Sequence, residues 1–372
     1  MAGRGAVPGR VRRGTGNGTL RPAGRTASPF SKQERGASDN GLNPHRFKVL
    51  HANLAFTLRG ARADDVFCLP PQALVRMLSS AEHQARLPLV PGLDAARETT
   101  DMNKLLIPPE RFTNRIADFG FEFITFQHRK MSPGEVFGAN TGTRELGIVL
   151  LGGICSVSSS AGAFPSFGKR PGVFAGLPYT LYLPISTEFE LTAETACDIA
   201  FCYCDAEERF PARLVPPEEV RVEIRGGGNA TRQINHMIQP SFPAHRLLVC
   251  EVYTPGGSWS SYPPHKHDVH NPPGEVDLEE IYYYRIDRPE GFAIQRIYTT
   301  DRRLDATLTV RDGELVLIPE GYHPVVAAHG YNVYYLNVLA GSARSMAASD
   351  DPDYAWVRQT WTRQDPRVPL VK

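Results

Sequence analysis

The sequence predicts an all-β protein made of two tandem antiparallel β-barrel or sandwich domains behind a disordered N-terminal extension. From Met102 onward, short runs rich in Val, Ile, Phe and Tyr are separated by Gly and Pro, which is typical of sandwiches and barrels. A weak internal repeat indicates two copies of one unit. Its paired segments are Thr180-Leu181-Tyr182-Leu183-Pro184 with Leu315-Val316-Leu317-Ile318-Pro319, and Arg144-Glu145-Leu146 with Glu279-Glu280-Ile281.

Composition narrows the class of partner. The 372 residues are 41% apolar, enough for two or three globular cores, and the formal net charge is only +1. So small a charge does not predict nucleic acid or a membrane as a partner, which leaves a small molecule. The longest apolar run, near residues 148–154, is far short of the roughly 20 residues that span a bilayer. Six cysteines in apolar runs, with no secretory segment before them, predict reduced thiols and a cytoplasmic location.

The first element, residues 1–101, is predicted to be an N-terminal extension. Residues 1 to about 46 hold nine Lys or Arg, two acids and nine glycines, so they bury too little apolar surface to offset chain entropy and should be largely disordered. Their basic character resembles a targeting peptide or a nucleic-acid arm, but a solvated extension is the favoured interpretation.

Two domains and an arm follow. A flexible Arg225-Gly226-Gly227-Gly228-Asn229 break sets the boundary, so residues 102–225 form the first domain and 226–348 the second. Residues 349–372 are predicted to be a C-terminal arm. The expected strands are Phe121–Gln127, Leu146–Leu151, Thr180–Pro184, Ile199–Cys204, Leu247–Tyr253, Ile281–Ile286, Ala293–Tyr298, Glu314–Pro319 and Val333–Leu339.

The two predicted domains differ in their histidine content. Seven of the eleven histidines fall between His236 and His329, whereas none lies between His128 and His236. Only the second domain can therefore host a histidine-rich metal site. The first domain is expected to lack metal ligands and to supply packing. Cys202-Tyr203-Cys204 is interpreted as core, because alternate residues of a strand share one face and buried Cys is common.

Four residues of the second domain predict a metal centre. His265 and His267 are two apart, so on an extended chain both can donate to one ion. Glu280 opens a β-branched and aromatic run that would place it on a neighbouring strand, and His323 follows a Pro-Glu-Gly turn that can direct it inward. Glu279 should face the opposite side. Three His and one Glu leave room for water or substrate oxygens, as in catalytic sites. One divalent ion is expected, with zinc first and manganese or iron as alternatives.

These residues resemble the cupin superfamily, in which one motif supplies His-x-His and Glu and a second supplies His after a Pro-x-Gly turn. Twelve residues separate His267 from Glu280, a longer interval than cupins usually have. That insertion, the surrounding Tyr253–Asp268 segment, Gln295–Tyr298 and Tyr334–Val338 look specifically like the 5-deoxy-glucuronate isomerases of bacterial myo-inositol catabolism.

The resemblance implies a bicupin that converts 5-deoxy-D-glucuronate, an aldose, into 2-deoxy-5-keto-D-gluconate, a ketose, through a metal-stabilised enediolate. In that interpretation Tyr282 or Tyr335 lies near the reacting carbons. The candidates for binding the sugar acid are Lys266, Arg285, Arg296 and Asn337, since a cation can bind the substrate carboxylate.

Three alternatives remain open at this point. A cupin dioxygenase would use iron at the same ligands, and a sugar-binding cupin would have no activity. A nucleic-acid protein would use the basic extension and bind in a salt-sensitive way. Exposed β edges also predict a homo-oligomer.

Overall fold

The strands come from the alternating apolar pattern, and the structure, a computed structural model, describes residues 104–372. The predicted extension at 1–101 lies outside the described residues. All nine expected strands are present, with ends shifted by a few residues. The strands up to residue 215 are β1 (Leu106–Ile107), β2 (Ala117–Asp118), β3 (Ile124–Met131), β4 (Val136–Asn140), β5 (Arg144–Gly152), β6 (Cys155–Ser159), β7 (Gly162–Phe167), β8 (Tyr179–Leu183), β9 (Glu188–Ala193), β10 (Cys197–Asp205) and β11 (Arg213–Val215).

Twelve more strands follow in the second half. They are β12 (Arg221–Arg225), β13 (Arg232–Ile238), β14 (Leu248–Thr254), β15 (Trp259–Ser260), β16 (His265–Lys266), β17 (Leu278–Ile286), β18 (Phe292–Tyr298), β19 (Asp305–Arg311), β20 (Leu315–Ile318), β21 (Val325–Ala327), β22 (Val333–Gly341) and β23 (Ser349–Asp350). Short 3₁₀ turns occupy Pro109–Arg111, Val173–Ala175, Pro217–Glu219, Gly228–Ala230 and Ala355–Thr360. Within residues 104–372, no helix is long and apolar enough to cross a membrane.

The strands form two antiparallel sandwiches. In the first, a six-stranded sheet of order β11-β8-β5-β10-β3-β2 faces the four-stranded sheet β4-β9-β6-β7. In the second, the seven-stranded sheet β1-β20-β17-β22-β14-β13-β12 faces the four-stranded sheet β15-β21-β18-β19. The predicted all-β class is confirmed. The seven-stranded sheet recruits β1 from the start of the described chain and β12, the strand just before the expected boundary near residue 226.

The two large sheets pack against each other through their outer faces. Val149 and Cys202 of the first sandwich share one buried apolar cluster with Ile281 and Val338 of the second. Burying each such side chain contributes about 1.5–3 kcal/mol. Cys202 and Cys204 lie in this core as free thiols, as their spacing predicted.

Buried polar contacts cross the same interface in both directions. The Glu145 carboxylate of β5 accepts hydrogen bonds from the backbone N–H groups of residues 245–247 at 2.6–2.8 Å. The Glu279 carboxylate of β17 accepts bonds from Phe123 and Ile124 N–H at 3.0 and 3.1 Å. A buried ion pair also joins Arg170 to Glu251 at 2.5 Å. Each half therefore caps backbone donors of the other.

Strand pairing shows that the alignment of the two repeats predicted from the sequence is off by one residue at Glu145. Leu146 pairs with Leu183 in the first sandwich, whereas Glu280 pairs with Ile318 in the second, and a proline follows Leu183 and Ile318 alike. Glu145 therefore corresponds to Glu279, not to Glu280. The position of Glu280 is held by the apolar Leu146 in the first sandwich, and a one-residue shift moves a side chain to the other face of a sheet.

The C-terminal arm lies on the second sandwich. Its strand β23 pairs with β16, the strand that carries His265. The Gln233 side chain accepts a hydrogen bond from Leu370 N–H at 2.7 Å and donates one to Val371 O at 2.9 Å. The arm thus covers the same end of the sandwich as the histidine motif.

Candidate metal centre

Three of the four expected ligands converge inside the second sandwich. Nε2 of His267 lies 3.0 Å and Nε2 of His323 lies 3.1 Å from the same Glu280 oxygen, Oε2. All three residues are buried, and one ligand atom from each lies within 4.8 Å of the others. The Nδ1–H of His267 donates to Leu278 O and that of His323 to Gly321 O, at 3.0 and 2.9 Å. Because a carbonyl only accepts, each Nδ1 carries a proton and each Nε2 faces the centre. Nε2 of His267 forms a hydrogen bond with Glu280 Oε2 at 3.0 Å, and loss of the shared proton would free this nitrogen to bind a cation.

The donor set fits a divalent cation. His323 Nε2 is fully buried, and although Glu280 Oε2 lies near it, the contact lacks hydrogen-bond geometry. A buried nitrogen lone pair without a donor is costly, and a metal ion would satisfy it. Imidazole with carboxylate is a ligand set common to zinc, manganese and iron. His267, Glu280 and His323 can therefore hold a metal, but they do not select one.

His265 lies beside this group. Its ring centroid is 4.9 Å from that of His323 and 6.5 Å from that of His267, and it is outside the close set of three. Its Nδ1–H donates to Pro263 O at 3.4 Å. Burial, and then the neighbouring His323 and His267, lower the pKa of His265 well below its usual value. The ring is therefore neutral at neutral pH and keeps an available Nε2.

Charge within the centre is balanced by its own members. Burial favours the neutral acid of Glu280, but His323 and His267 outweigh it and lower the pKa of this carboxyl. The neighbouring Asn337 side chain also favours the ionised form of Glu280 and lowers its pKa. Burial opposes a charge on His267, yet the Glu280 carboxylate raises the pKa of this ring, whereas burial lowers that of His323. Glu280 is thus held ionised, which is the form that binds a cation.

Local structure explains how His323 reaches the centre. Gly321 adopts φ +84°, and a Cβ there would lie 2.5 Å from Tyr298 O, so only glycine fits. The turn rests on β18 through two backbone bonds between Tyr298 and Tyr322, at 2.8 and 2.9 Å. The Asp268 carboxylate accepts from Gly321 N–H at 2.8 Å. Asp268 thereby joins the His265–His267 motif to the turn that carries His323.

Two tyrosines complete the inner wall. Tyr282 and Tyr335 are fully buried and stacked with ring centroids 4.1 Å apart. The hydroxyl of Tyr282 is 3.0 Å from Ser261 Oγ, and that of Tyr335 donates to Ser260 Oγ at 3.0 Å. Burial raises the pKa of Tyr335 to about 12 and that of Tyr282 well above its usual value. Both phenols are therefore neutral donors at neutral pH.

Both tyrosines and Asn337, but not the other expected substrate-binding residues, line the cavity. Lys266 pairs with Asp268 and Glu275 at 2.5 and 2.8 Å, fixing the inserted loop. Arg285 alternates with Glu280 along β17, faces the first sandwich and pairs with Asp198 at 2.7 Å. Arg296 is half-exposed on β18, paired with Asp305. The structure therefore does not bring the expected substrate-binding residues Lys266, Arg285 and Arg296 to the cavity, because each is paired with a carboxylate outside it.

The cavity also contains residues that the sequence did not single out. It has a volume of about 150 Å³, some ten times the space that one water needs, so it can admit a small sugar acid. Arg225, Arg232 and Arg358 line it together with Asp350. The one feature of the sequence that could have predicted a role for Arg232 is a charged residue at an inward-facing position of a strand. Arg358 and Asp350 belong to the arm, and only the fold brings them here.

The fold and this site define a class. Two antiparallel sandwiches, with a His, Glu and His group inside one of them, are the architecture that the resemblance to cupins implied. The KduI/IolB family matches residues 110–357, more than half of the chain. The chain belongs to the KduI/IolB family, which confirms the resemblance seen in the sequence.

Relatives support this placement over nearly their whole length. The 5-deoxy-glucuronate isomerase of Geobacillus kaustophilus is 42% identical over 267 residues, which cover 70% of this chain and 97% of the relative. The enzyme of the same name from Bacillus subtilis is 38% identical over 237 residues, covering 63% and 88%. The crystal structure of an IolB-like protein from Salmonella typhimurium is similar with a TM-score of 0.66 and 38% identity, covering 68% of this chain and 98% of that one.

Proposed function

We propose that this chain is an aldose–ketose isomerase that converts 5-deoxy-D-glucuronate into 2-deoxy-5-keto-D-gluconate at a divalent metal held by His267, Glu280 and His323. The observation that carries the proposal is the convergence of these three ligands in a chain that covers 97% of a relative named 5-deoxy-glucuronate isomerase. His265, neutral and adjacent, is the fourth ligand in this proposal. Zinc is the first expectation.

The reaction needs little more than charge stabilisation and proton movement. A proton moves from C2 to C1, and the proton of the C2 hydroxyl moves to the C1 oxygen, so no oxidant or reductant is consumed. A divalent ion at this centre would stabilise the negative charge that develops on the two substrate oxygens. The sandwich interior strengthens such an interaction because it excludes bulk water.

The chain's own groups orient the sugar. Tyr282 and Tyr335 are protonated, so they cannot serve as bases at neutral pH. The Tyr335 proton is donated to Ser260 Oγ, so this hydroxyl can accept a hydrogen bond from a sugar hydroxyl, whereas that of Tyr282 can donate or accept one. Ser260 and Ser261 fix the direction of both hydroxyls. Asn337 lines the cavity beside Glu280 and favours its ionised form. In this proposal Tyr282 and Tyr335 position the reacting carbons.

Turnover with controlled metal content tests the proposal. Purified protein is incubated with 5-deoxy-D-glucuronate, with and without chelator and with and without oxygen, and the ketose is followed by NMR. We expect conversion that stops on chelation, returns with added metal and continues without oxygen. A requirement for oxygen would refute the isomerase in favour of a dioxygenase, and substrate binding without conversion would favour a sugar-binding protein.

Ligand variants test the centre itself. His267→Ala, Glu280→Leu and His323→Ala should each lose most bound metal, measured by elemental analysis, while the far-ultraviolet circular dichroism is unchanged. Glu280→Leu reproduces what the first sandwich has at Leu146. His270→Ala is the matched control, since this exposed histidine bonds Asp277 outside the cavity. Full metal content in all three ligand variants would remove the proposed centre. A cytoplasmic location and a homo-oligomeric state remain predictions.

A further inference from the structure

One buried arginine in the cavity is held in place without a counter-ion from the described part of the chain. Arg232 is the first residue of β13 and only 4% exposed. Its Nη1 donates to Ala230 O at 3.3 Å and to Tyr262 O at 3.2 Å. Two backbone carbonyls therefore fix the plane of the guanidinium at the cavity that Glu280 and Tyr335 also line.

Its neighbours are paired, whereas Arg232 is not. Arg225 bonds Glu223 at 2.7 Å, and Arg358 bonds Asp350 at 2.7 Å. Across residues 104–372, no carboxylate lies within ion-pair distance of Arg232. A buried unpaired charge is costly, so a protein keeps one where a ligand supplies the opposite charge.

The guanidinium remains cationic at neutral pH. Burial, followed by repulsion from Arg225 and Arg358, lowers the pKa of Arg232 to about 10. Three guanidinium groups face this part of the cavity, and the two other arginines already have partners. Among the residues that the structure describes, the uncompensated positive charge of these three therefore belongs to the most buried, Arg232.

We infer that Arg232 binds the carboxylate of the sugar acid and so makes the site selective for uronates over neutral aldoses. The inference rests on the proposed function and deepens it. In 5-deoxy-glucuronate the aldehyde and the carboxylate are at opposite ends of the chain, so the metal ligands and Arg232 bind different ends. The planar fork of a guanidinium matches a carboxylate. Arg225 and the Arg358–Asp350 pair line the same cavity.

A comparison of charged and neutral substrates tests the inference. Wild type, Arg232→Gln and Arg232→Lys are assayed with 5-deoxy-glucuronate and with 5-deoxy-glucose, in which a hydroxymethyl group replaces the carboxylate. For Arg232→Gln we expect kcat/KM to fall about 10- to 150-fold for the acid, the range for a lost charge-assisted bond, and less than about threefold for the neutral sugar. Arg232→Lys should recover part of the activity, because it keeps the charge but not the fork.

A binding measurement covers the case in which the neutral sugar does not react. The acid made by reducing the aldehyde of 5-deoxy-glucuronate to an alcohol cannot isomerise, and its affinity is measured by calorimetry. Arg232→Gln should bind it at least about tenfold more weakly than wild type. Arg221→Gln removes a nearby exposed arginine that bonds Glu223 at 3.2 Å and should change neither measurement. Metal content and melting temperature are determined for every variant.

The outcomes separate the two levels of the proposal. An inactive wild type with full metal would refute the proposed function. The role of Arg232 would be overturned if the wild type is active and Arg232→Gln has the same kcat/KM for the acid and the same affinity for the reduced acid. Equal losses for acid and neutral sugar would also overturn it, since they indicate a structural role.

Discussion

Gly321 links backbone conformation to the candidate metal centre, because its carbonyl accepts the Nδ1–H bond of His323 at 2.9 Å. Its φ of +84° lies in the left-handed region, and a Cβ there would be 2.5 Å from Tyr298 O and 2.8 Å from Tyr298 C. In Gly321→Ala the left-handed backbone costs about 1–2 kcal/mol. The clash adds about 1–3 kcal/mol, the usual cost of overpacking, because two backbone segments must separate by about 0.5 Å to reach even 3.0 Å.

The total for Gly321→Ala is therefore about 2–5 kcal/mol, and the displaced segment carries His323. We expect a melting temperature lower by roughly 4–20 °C, at about 2–4 °C per kcal/mol for a domain of this size. Bound metal should also fall, measured by elemental analysis on folded protein, since ligand geometry tolerates little displacement.

Gly313→Ala is the matched control. Gly313 has φ +82°, but a Cβ there meets only Pro109 Cγ at 3.7 Å. This variant should lose only the conformational part, about 1–2 kcal/mol, and keep its metal. If both variants melt at the same temperature with full metal, the turn at Gly321 does not position His323 and the reasoning fails.

Three further outcomes follow from polar contacts. Arg170→Met leaves the buried Glu251 carboxylate without its cation and should lower the free energy of unfolding by about 3–5 kcal/mol, measured by chemical unfolding. The double variant with Glu251→Leu should recover much of that loss. A double variant as unstable as Arg170→Met would contradict this reasoning. Burial opposes ionisation of Asp198, but His128 and Arg285 lower its pKa. The ionised Asp198 therefore contributes its whole stabilisation above pH 3.8, the usual pKa of this group, and the contribution is lost as the pH falls through the lowered pKa. In Asp198→Asn the free energy of unfolding should change less with pH over this acidic range, measured by chemical unfolding at a series of pH values. Tyr298→Phe removes the 2.6 Å bond to buried Asp351 in the arm and should cost about 1–3 kcal/mol; an unchanged melting temperature would show that this bond does not hold the arm.

Local pattern was sufficient for the strands and for the chemistry of the centre. A strand is readable because its side chains alternate between two faces, and all nine expected strands were found. The spacing of His265 and His267, the acid opening β17 and the Pro-Glu-Gly turn before His323 are likewise local features. The family resemblance added the reaction.

Local pattern could not determine which charges meet the cavity. Lys266, Arg285 and Arg296 are close in sequence to the ligands, but each found a carboxylate elsewhere in the fold. Arg285 illustrates the reason: along a strand an odd step reverses the face, so five residues after Glu280 it points to the other sandwich. Proximity along the chain does not give proximity in space.

The sequence by itself determined the all-β class, the residues of the candidate metal centre and the family. Only the tertiary structure decided that Glu280 corresponds to Leu146 in the other half, that the arm brings Arg358 to the cavity and that Arg232 has no counter-ion within residues 104–372. The physical reason is the separation along the chain between the groups that interact. Alternation and turns depend on adjacent residues, whereas strand register, sheet packing and the pairing of charges depend on groups that are tens or hundreds of residues apart.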